Sequence, residues 1–192
     1  MDLLERERET YRQMWAVDEY AQHSPGEHYL PIFLDMIGVT RCEDDASVLD
    51  AGCGSGQGGV ALSRLGFNVL LCDVTPDGLV SDAMALPYVD ACLWHDLRVW
   101  GPFDYVYCCD VLEHIPTAFT MLVVRRLLDV AAHGVFLSIS FQPDVMGHWV
   151  GTPLHQTVMP FTWWRDALSA VGEVIEARDL LNAGVFFVRR RD

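Results

Sequence analysis

The sequence predicts an α/β fold, a largely parallel sheet covered by helices on both faces. Three observations carry that prediction. Short, nearly continuous apolar runs alternate with helical patterns along most of the chain, as in sheets buried on both sides. The first such run leads straight into the glycine-rich stretch Asp50-Ala51-Gly52-Cys53-Gly54-Ser55-Gly56 and then into a helical pattern. Strand, glycine turn and helix start let a backbone approach a ligand closely and offer it unpaired N–H groups. Two later runs end on an acid, Asp73 and Asp110, at the carboxyl ends of strands, where open α/β sheets bind their ligands. With 192 residues, 51% of them hydrophobic, the chain is expected to form one domain with a full core.

Taken in order, residues 2–20 read as a charged, mostly helical segment. Leu3, Leu4, Tyr11, Met14, Trp15 and Val17 are its candidate packing residues, and Ser24-Pro25-Gly26 breaks it. A second amphipathic helix covers 29–37 and stops at Gly38. The acidic cluster Glu43-Asp44-Asp45 is a solvated loop. A first strand over 47–53, a helix over 57–65 and a second strand over 68–74 follow. Residues 75–86 read as a connection, 90–95 as a third strand followed by Asp96, and 103–110 as a very apolar fourth strand. A helix over 117–132 leads to a fifth strand over 134–141. An irregular stretch over 142–159, rich in Pro, Gly and His, precedes a Trp-rich helix over 161–171. Strands over 173–180 and 184–191 close the chain as a pair. No repeat or linker divides it, so 1–192 is expected to be a single domain, with 1–45 as a helical lead-in and 142–160 on the substrate side.

The formal net charge of −14 works against a broad phosphate-binding surface. All 13 basic residues are Arg, which excludes Schiff-base and lysine general-base chemistry. The six cysteines, Cys42, Cys53, Cys72, Cys92, Cys108 and Cys109, contain no C-x-x-C pair, so a zinc ribbon is not expected. The first ten residues are charged and lack an apolar stretch, and no apolar run is long enough to span a membrane. A cytoplasmic protein with reduced thiols is the expectation.

Two glycine registers fit the first turn. Gly54, Gly56 and Gly59 have the G-x-G-x-x-G spacing of dinucleotide sites, with Asp73 placed for a ribose. Gly52, Gly54 and Gly56 instead follow Asp50 as D-x-G-x-G-x-G. An acid at Asp50 repels a pyrophosphate and suits an ammonium group. Asp73 can take two ribose hydroxyls and Asp96 an adenine amino group. A pocket rich in acceptors and poor in cations fits a nucleoside with a cationic amino-acid tail.

The run Val48-Leu49-Asp50-Ala51-Gly52-Cys53-Gly54-Ser55-Gly56 resembles motif I of the class I S-adenosylmethionine-dependent methyltransferases. Phe103-Asp104-Tyr105-Val106, continuing to Asp110-Val111-Leu112-Glu113-His114-Ile115-Pro116, is similar to their fourth-strand motif. The likeness covers 47–141, and the lead-in over 11–27 is similar to that of small bacterial or phage-type members. It implies a Rossmann-like class I methyltransferase fold, with a seven-stranded mostly parallel sheet, an antiparallel last strand and helices on both faces. It also implies S-adenosyl-L-methionine as cofactor and S-adenosyl-L-homocysteine as product. By the same resemblance Asp50, Gly52, Cys53, Gly54 and Gly56 hold the methionine and ribose. Asp73 and Val74 meet the ribose, Asp96 and Leu97 border the adenine, and Asp110 and Val111 close the methionyl side.

Methyl transfer needs a base only when the acceptor must lose a proton. His155 is the preferred base, with His114 and Glu113 as further candidates and His148 in the same irregular stretch. A loop histidine bonded to backbone is the alternative for His155, and a residue ordering the turn into the next helix is the alternative for His114. Asp110, Glu113, His114 and a later His also resemble the metal set of RNA 3′-end 2′-O-methyltransferases, but a metal-free site is the expectation. Trp149, Phe161, Trp163 and Trp164 are read as core more readily than as a substrate wall. Arg189-Arg190-Arg191 is a solvated tail end. The chain lacks N-P-P-Y and Pro-Cys signatures of base methylation. The expected reaction is methyl transfer to an O or N atom of a small-molecule or glycan-like acceptor, with nucleic acid and membrane disfavoured as partners. The alternatives are an Mg-dependent RNA 2′-O-methyltransferase, an NAD-dependent oxidoreductase, which would lack its Y-x-x-x-K lysine, and a non-catalytic S-adenosylmethionine-binding protein.

Overall fold

The computed structural model describes residues 2–21 and 25–191. Ser24, part of the expected break after the first helical segment, lies outside them. The lead-in forms α1 (Leu3–Trp15), the single turn α2 (Asp18–Ala21) and α3 (Gly26–Ile37). The Asp2 side chain accepts from Glu5 N–H at 2.9 Å and starts α1. Gly38, in the left-handed region, ends α3 as expected.

Seven strands then form one sheet: β1 (Ser47–Ala51), β2 (Asn68–Asp73), β3 (Tyr88–Asp90), β4 (Phe103–Cys109), β5 (Ala131–Ser140), β6 (Glu173–Asp179) and β7 (Ala183–Arg189). Three helices intervene, α4 (Gln57–Arg64), α5 (Thr117–Val130) and α6 (Phe161–Val171). The strand order is β3-β2-β1-β4-β5-β7-β6, and β7 runs antiparallel to both of its neighbours. The chain therefore enters at β1, winds outward to β3, and returns to place β4 on the other side of β1. That reversal opens a crevice between the carboxyl ends of β1 and β4.

Alternation along the strands divides the core between the two faces. Val106 and Cys108 of β4, and Val135, Leu137 and Ile139 of β5, pack on the α5–α6 side with Trp164 and Leu168. Tyr107, Phe136 and Phe187 point the other way, onto Phe33 of α3 and Leu62 of α4. The six cysteines are free, and no helix among the described residues is long and apolar enough to cross a membrane.

β5 begins at Ala131, so residues 131–132, expected to end the helix over 117–132, join the strand, and the third strand differs from the sequence reading more widely. The third strand was expected over 90–95 and forms at Tyr88–Asp90. Its partner β2 ends at Asp73, which pairs with Asp90, so the residues beyond Asp90 have no ladder to continue. After Ala91, whose N–H still donates to Asp73 O at 2.9 Å, Cys92 and Leu93 are buried by packing rather than by pairing, which gives an apolar run the look of a strand.

Candidate cofactor and acceptor site

A cavity of about 420 Å³ lies over the crevice, within the range of small-molecule sites. Its floor is the loop that leaves β1. Gly52 has φ of 74°, and a Cβ there would stand 2.4 Å from Val111 Cγ2. Only glycine lets the β1 and β4 ends come this close. The N–H groups of Gly52 and Cys53 both donate to Cys72 O, at 2.8 and 3.0 Å, which ties the loop to the end of β2.

Three carboxylates converge here. Asp50, the fourth residue of β1, is buried, and its Oδ2 has no hydrogen-bond partner. Burial pushes its carboxyl up to about 7, the Gly59 amide opposing and Asp73 reinforcing. Asp73 accepts from Gly54 N–H at 2.8 Å and Val74 N–H at 2.7 Å, one on each oxygen. Desolvation raises it to about 6 against those amides and that of Thr75. Each of its oxygens keeps further acceptor capacity. Asp110 holds the left-handed φ of 52°, rare for a residue with a side chain. Ser138 Oγ donates to its Oδ1 at 2.8 Å, and burial raises its pKa against that bond and against His155 and His28.

The cavity wall includes Asp50, Gly52, Cys53, Gly54, Asp73, Val74, Asp110, Val111, His114 and His155. Gly56 stands behind it, against Ala83 and Leu79. Asp96 and Leu97 do not reach it. The chain turns at Cys92–His95 once β3 has ended, leaving the exposed Asp96 on Arg98, at 2.9 and 2.7 Å, and Leu97 in the core. Leu93 and Trp94 form that edge of the cavity instead.

The roof is α1. Glu7, Tyr11 and Trp15 recur every four residues and so share one helix face, which lines the cavity together with Tyr20. That spacing was legible, but it reads equally as a packing face. Arg8 pins the helix down, donating to Val74 O at 3.1 Å and pairing with Asp90. Trp149 is half exposed and away from the cavity, Trp164 is core, Trp163 packs edge-on against Trp164, and Phe161 stacks on Phe186. The aromatic wall comes from Tyr11, Trp15, Tyr20 and Trp94.

At the opposite end stand the turn after β4 and the segment after β5. Gln156 and Thr157 N–H both donate to Glu113 O, at 2.7 and 2.9 Å, so the two segments are clipped together. Glu113 is fully buried behind the wall, with Oε1 accepting from Ser140 N–H at 2.7 Å and Oε2 unpartnered. Its pKa is pushed well up by burial and then by Asp110. His114 Nδ1 meets Tyr11 OH at 2.8 Å. Burial, then His155, lower its pKa to about 3 against Asp144 and the Leu154 backbone. His155 Nδ1 meets Gln142 O at 2.6 Å. A carbonyl only accepts, so that nitrogen carries a ring proton. His148 bonds Val145 O through Nδ1 and does not line the cavity. No Arg lines the cavity among the described residues, while Glu7, Asp50, Asp73, Asp110 and Asp144 do. The residues thus fit a ribose and a cationic tail, with Asp50 Oδ2 as the unpartnered acceptor, and they do not fit a pyrophosphate.

No family model matches the chain. It is 33% identical over 120 residues to a ubiquinone biosynthesis O-methyltransferase of Xanthomonas campestris, covering 57% of this chain and 48% of that protein. A protein of the same description from Xylella fastidiosa is 32% identical over 126 residues. The chain spans about half the length of the curated relatives it matches. Among solved structures, magnesium protoporphyrin IX methyltransferase from Synechocystis with bound S-adenosylmethionine superposes with a TM-score of 0.64 at 19% identity, covering 91% of this chain and 82% of that one. The 1,6-didemethyltoxoflavin-N1-methyltransferase of Burkholderia thailandensis, with bound S-adenosylhomocysteine, gives 0.64 at 18%, covering 91% and 80%. These two likenesses are of fold. In fold and in both strand-end motifs the chain is similar to class I S-adenosylmethionine-dependent methyltransferases.

Proposed function

We propose that the chain binds S-adenosylmethionine in this cavity and transfers its methyl group to an oxygen or nitrogen of a small-molecule acceptor. The convergence of Asp50, Asp73 and Asp110 around the Gly52–Gly54 turn carries the reading. The cofactor, when bound, supplies an electrophilic methyl on a sulfonium sulfur. Asp73 holds the ribose hydroxyls with the acceptor capacity its two amide bonds leave over. Asp50 is the counter-charge for the ammonium, and it ionises as that charge arrives. Leu93 and Trp94 border the base, while Trp15 and Tyr20 close the roof and exclude water.

The acceptor enters from the other end, between Tyr11, His114 and His155. Transfer is a positioning task, and the clip between Glu113 and Gln156–Thr157 holds that wall in place. His155 takes the acceptor proton on Nε2, a role supported by its position in the cavity wall and by the bond of Nδ1 to Gln142 O. Lack of cavity arginine and the net charge of −14 favour a neutral or cationic small molecule over a phosphate-rich polymer. A relative named as an O-methyltransferase of ubiquinone biosynthesis supports a hydroxyl acceptor.

Calorimetry with S-adenosylmethionine, S-adenosylhomocysteine and NAD tests the cofactor, and the first two are expected to bind. Binding of NAD alone would overturn the reading. A labelled-methyl screen against small-molecule, glycan and RNA pools tests the acceptor. Cofactor binding with no S-adenosylhomocysteine released from any pool would make the chain a non-catalytic binder.

A further inference from the structure

We propose that the methyl acceptor carries a protonated amine and that Glu7 holds that group under the roof of the cavity. The inference rests on the proposed acceptor end and narrows its substrate class to small ammonium-bearing molecules. Glu7 is buried on α1 and lines the cavity, its side chain 9% exposed. Among the described residues two donors reach it, Arg6 Nη2 at Oε1 and Gln156 Nε2 at Oε2, each at 3.4 Å. Hydrogen bonds from N–H to oxygen ordinarily span about 2.7–3.2 Å, so both contacts are loose. A carboxylate has about four lone-pair sites. One withdrawn from water with such slack partners gains from a cation that enters the cavity.

The other acids of the cavity are committed elsewhere. Asp144 accepts from the amides of Met146, Gly147 and Leu154, at 2.8, 2.7 and 2.9 Å, and so shapes the loop after β5. Asp50, Asp73 and Asp110 stand at or beside strand ends around the glycine turn, the proposed place of the cofactor. Glu7 is instead tied to the wall that carries His114 and His155. Gln156 Nε2 donates to His114 O at 2.9 Å as well as to Glu7, which spends both hydrogens of that amide. Tyr11, one turn further along the same face of α1, meets His114 Nδ1 at 2.8 Å. The His114 and His155 rings lie 4.6 Å apart, centroid to centroid.

An ammonium suits this position better than any other charge state. No Arg lines the cavity among the described residues, and the chain has no Lys, so an entering cation meets carboxylates without a competing positive charge. An acceptor bearing phosphate or carboxylate would meet Glu7 as a like charge in a site sheltered from water. A wholly neutral acceptor would leave the carboxylate buried with its two loose contacts. The ammonium is the handle and not the methylated atom, because a nitrogen with four bonds has no lone pair for the methyl carbon. The methyl group goes to a hydroxyl or a neutral nitrogen of the same molecule, on the side of His155.

The full chain, saturated with S-adenosylhomocysteine, is probed by ligand-observed NMR with a panel of small hydroxylated amines. Each amine is paired with an isostere in which a hydroxyl or methyl group replaces the nitrogen. The amines are expected to bind about tenfold or more tightly than their neutral partners, the usual contribution of a charge-assisted hydrogen bond. Glu7→Gln should abolish that preference, and Glu7→Asp, which keeps the charge, should restore part of it. S-adenosylhomocysteine affinity should stay unchanged in both variants, which shows that they are folded. No preference for the amines, or a preference that survives Glu7→Gln, would overturn the inference. A loss of S-adenosylhomocysteine affinity in Glu7→Gln would set Glu7 against the cofactor and overturn it as well. Failure of the unaltered chain to bind S-adenosylhomocysteine would overturn the methyltransferase reading itself, and the inference with it.

Discussion

The two ends of the cavity are made by different means. At the proposed cofactor end the acidic groups sit at or next to the ends of adjacent strands, and backbone amides fix the nearest of them. Asp73 is held by Gly54 and Val74 N–H, and Gly52 and Cys53 by Cys72 O. At the acceptor end the contacts join side chains from distant segments. Tyr11 reaches His114 across 103 positions of sequence, and Glu7 meets Gln156 across 149. The first kind of site is inherited from the sheet and changes little if a surface side chain is exchanged. The second exists only while several loops and a helix keep their places.

The largest expected effect lies at the acceptor end. His155→Ala should lower turnover by about 10²–10⁴-fold, the usual contribution of a positioned base, while cofactor affinity stays within about twofold. Steady-state rates beside calorimetry check the split. A parallel fall in cofactor affinity would mean that the two ends are one structural unit. If turnover kept its full value across the pH range, His155 would have no part in the chemistry.

At the cofactor end, Asp73→Ala should weaken S-adenosylhomocysteine binding by about 100-fold, as two bonds to a charged carboxylate are lost. The released Gly54 and Val74 amides stand at a half-buried wall where water can replace the carboxylate. Thermal stability should therefore change by no more than about 1 kcal/mol. A variant that fails to fold would show that Asp73 holds the loop rather than the ligand.

Legibility in the sequence follows the same division. The alternation of apolar runs, the glycine turn and the acids at strand ends are local features, and they specify the sheet and most of the cavity floor. Asp96 misleads because the apolar run before it resembles a strand, while the true limit of β3 is set by the length of its partner β2. Trp94 is one residue inside that run and looks like core. On α1, Glu7, Tyr11 and Trp15 lie at helical spacing, and spacing alone does not say which layer the face meets. The bonds that seat His155 against Gln142 and Glu113 depend on a loop path that no periodicity encodes.

Asp50 gives the comparison a pH axis. Its carboxyl is raised from an ordinary 3.8 to about 7 in the folded chain. Between those values the folded state holds a proton that the unfolded state has lost, so stability falls as pH rises through this window. The contribution is greatest below about pH 4 and has gone above about 7. Asp73, raised to about 6, acts in the same direction. Ligand-free Asp50→Asn should lose less stability than the unaltered chain between pH 5 and 7.5, as followed by denaturant titration. Affinity for S-adenosylmethionine should rise over the same interval in the unaltered chain, because the ammonium needs the ionised acid, and should be flatter in the variant. An identical pH slope in both proteins would remove Asp50 from that role.

The smallest effect separates two nearby residues at the proposed adenine edge. Asp96 is exposed and already carries Arg98 on both oxygens, and it is outside the cavity wall. Asp96→Ala should leave cofactor affinity within about twofold, since exposed ion pairs contribute little. Trp94 lies in the wall, packed on Phe119 with ring centroids 5.5 Å apart. Trp94→Ala removes an aromatic surface worth about 0.5–1.5 kcal/mol beyond its area, so affinity should fall by roughly two- to tenfold. The reverse order, with Asp96 the more costly of the two, would mean that the 91–97 segment refolds around the cofactor. The strand-end rule would then extend one strand further than the ligand-free structure shows.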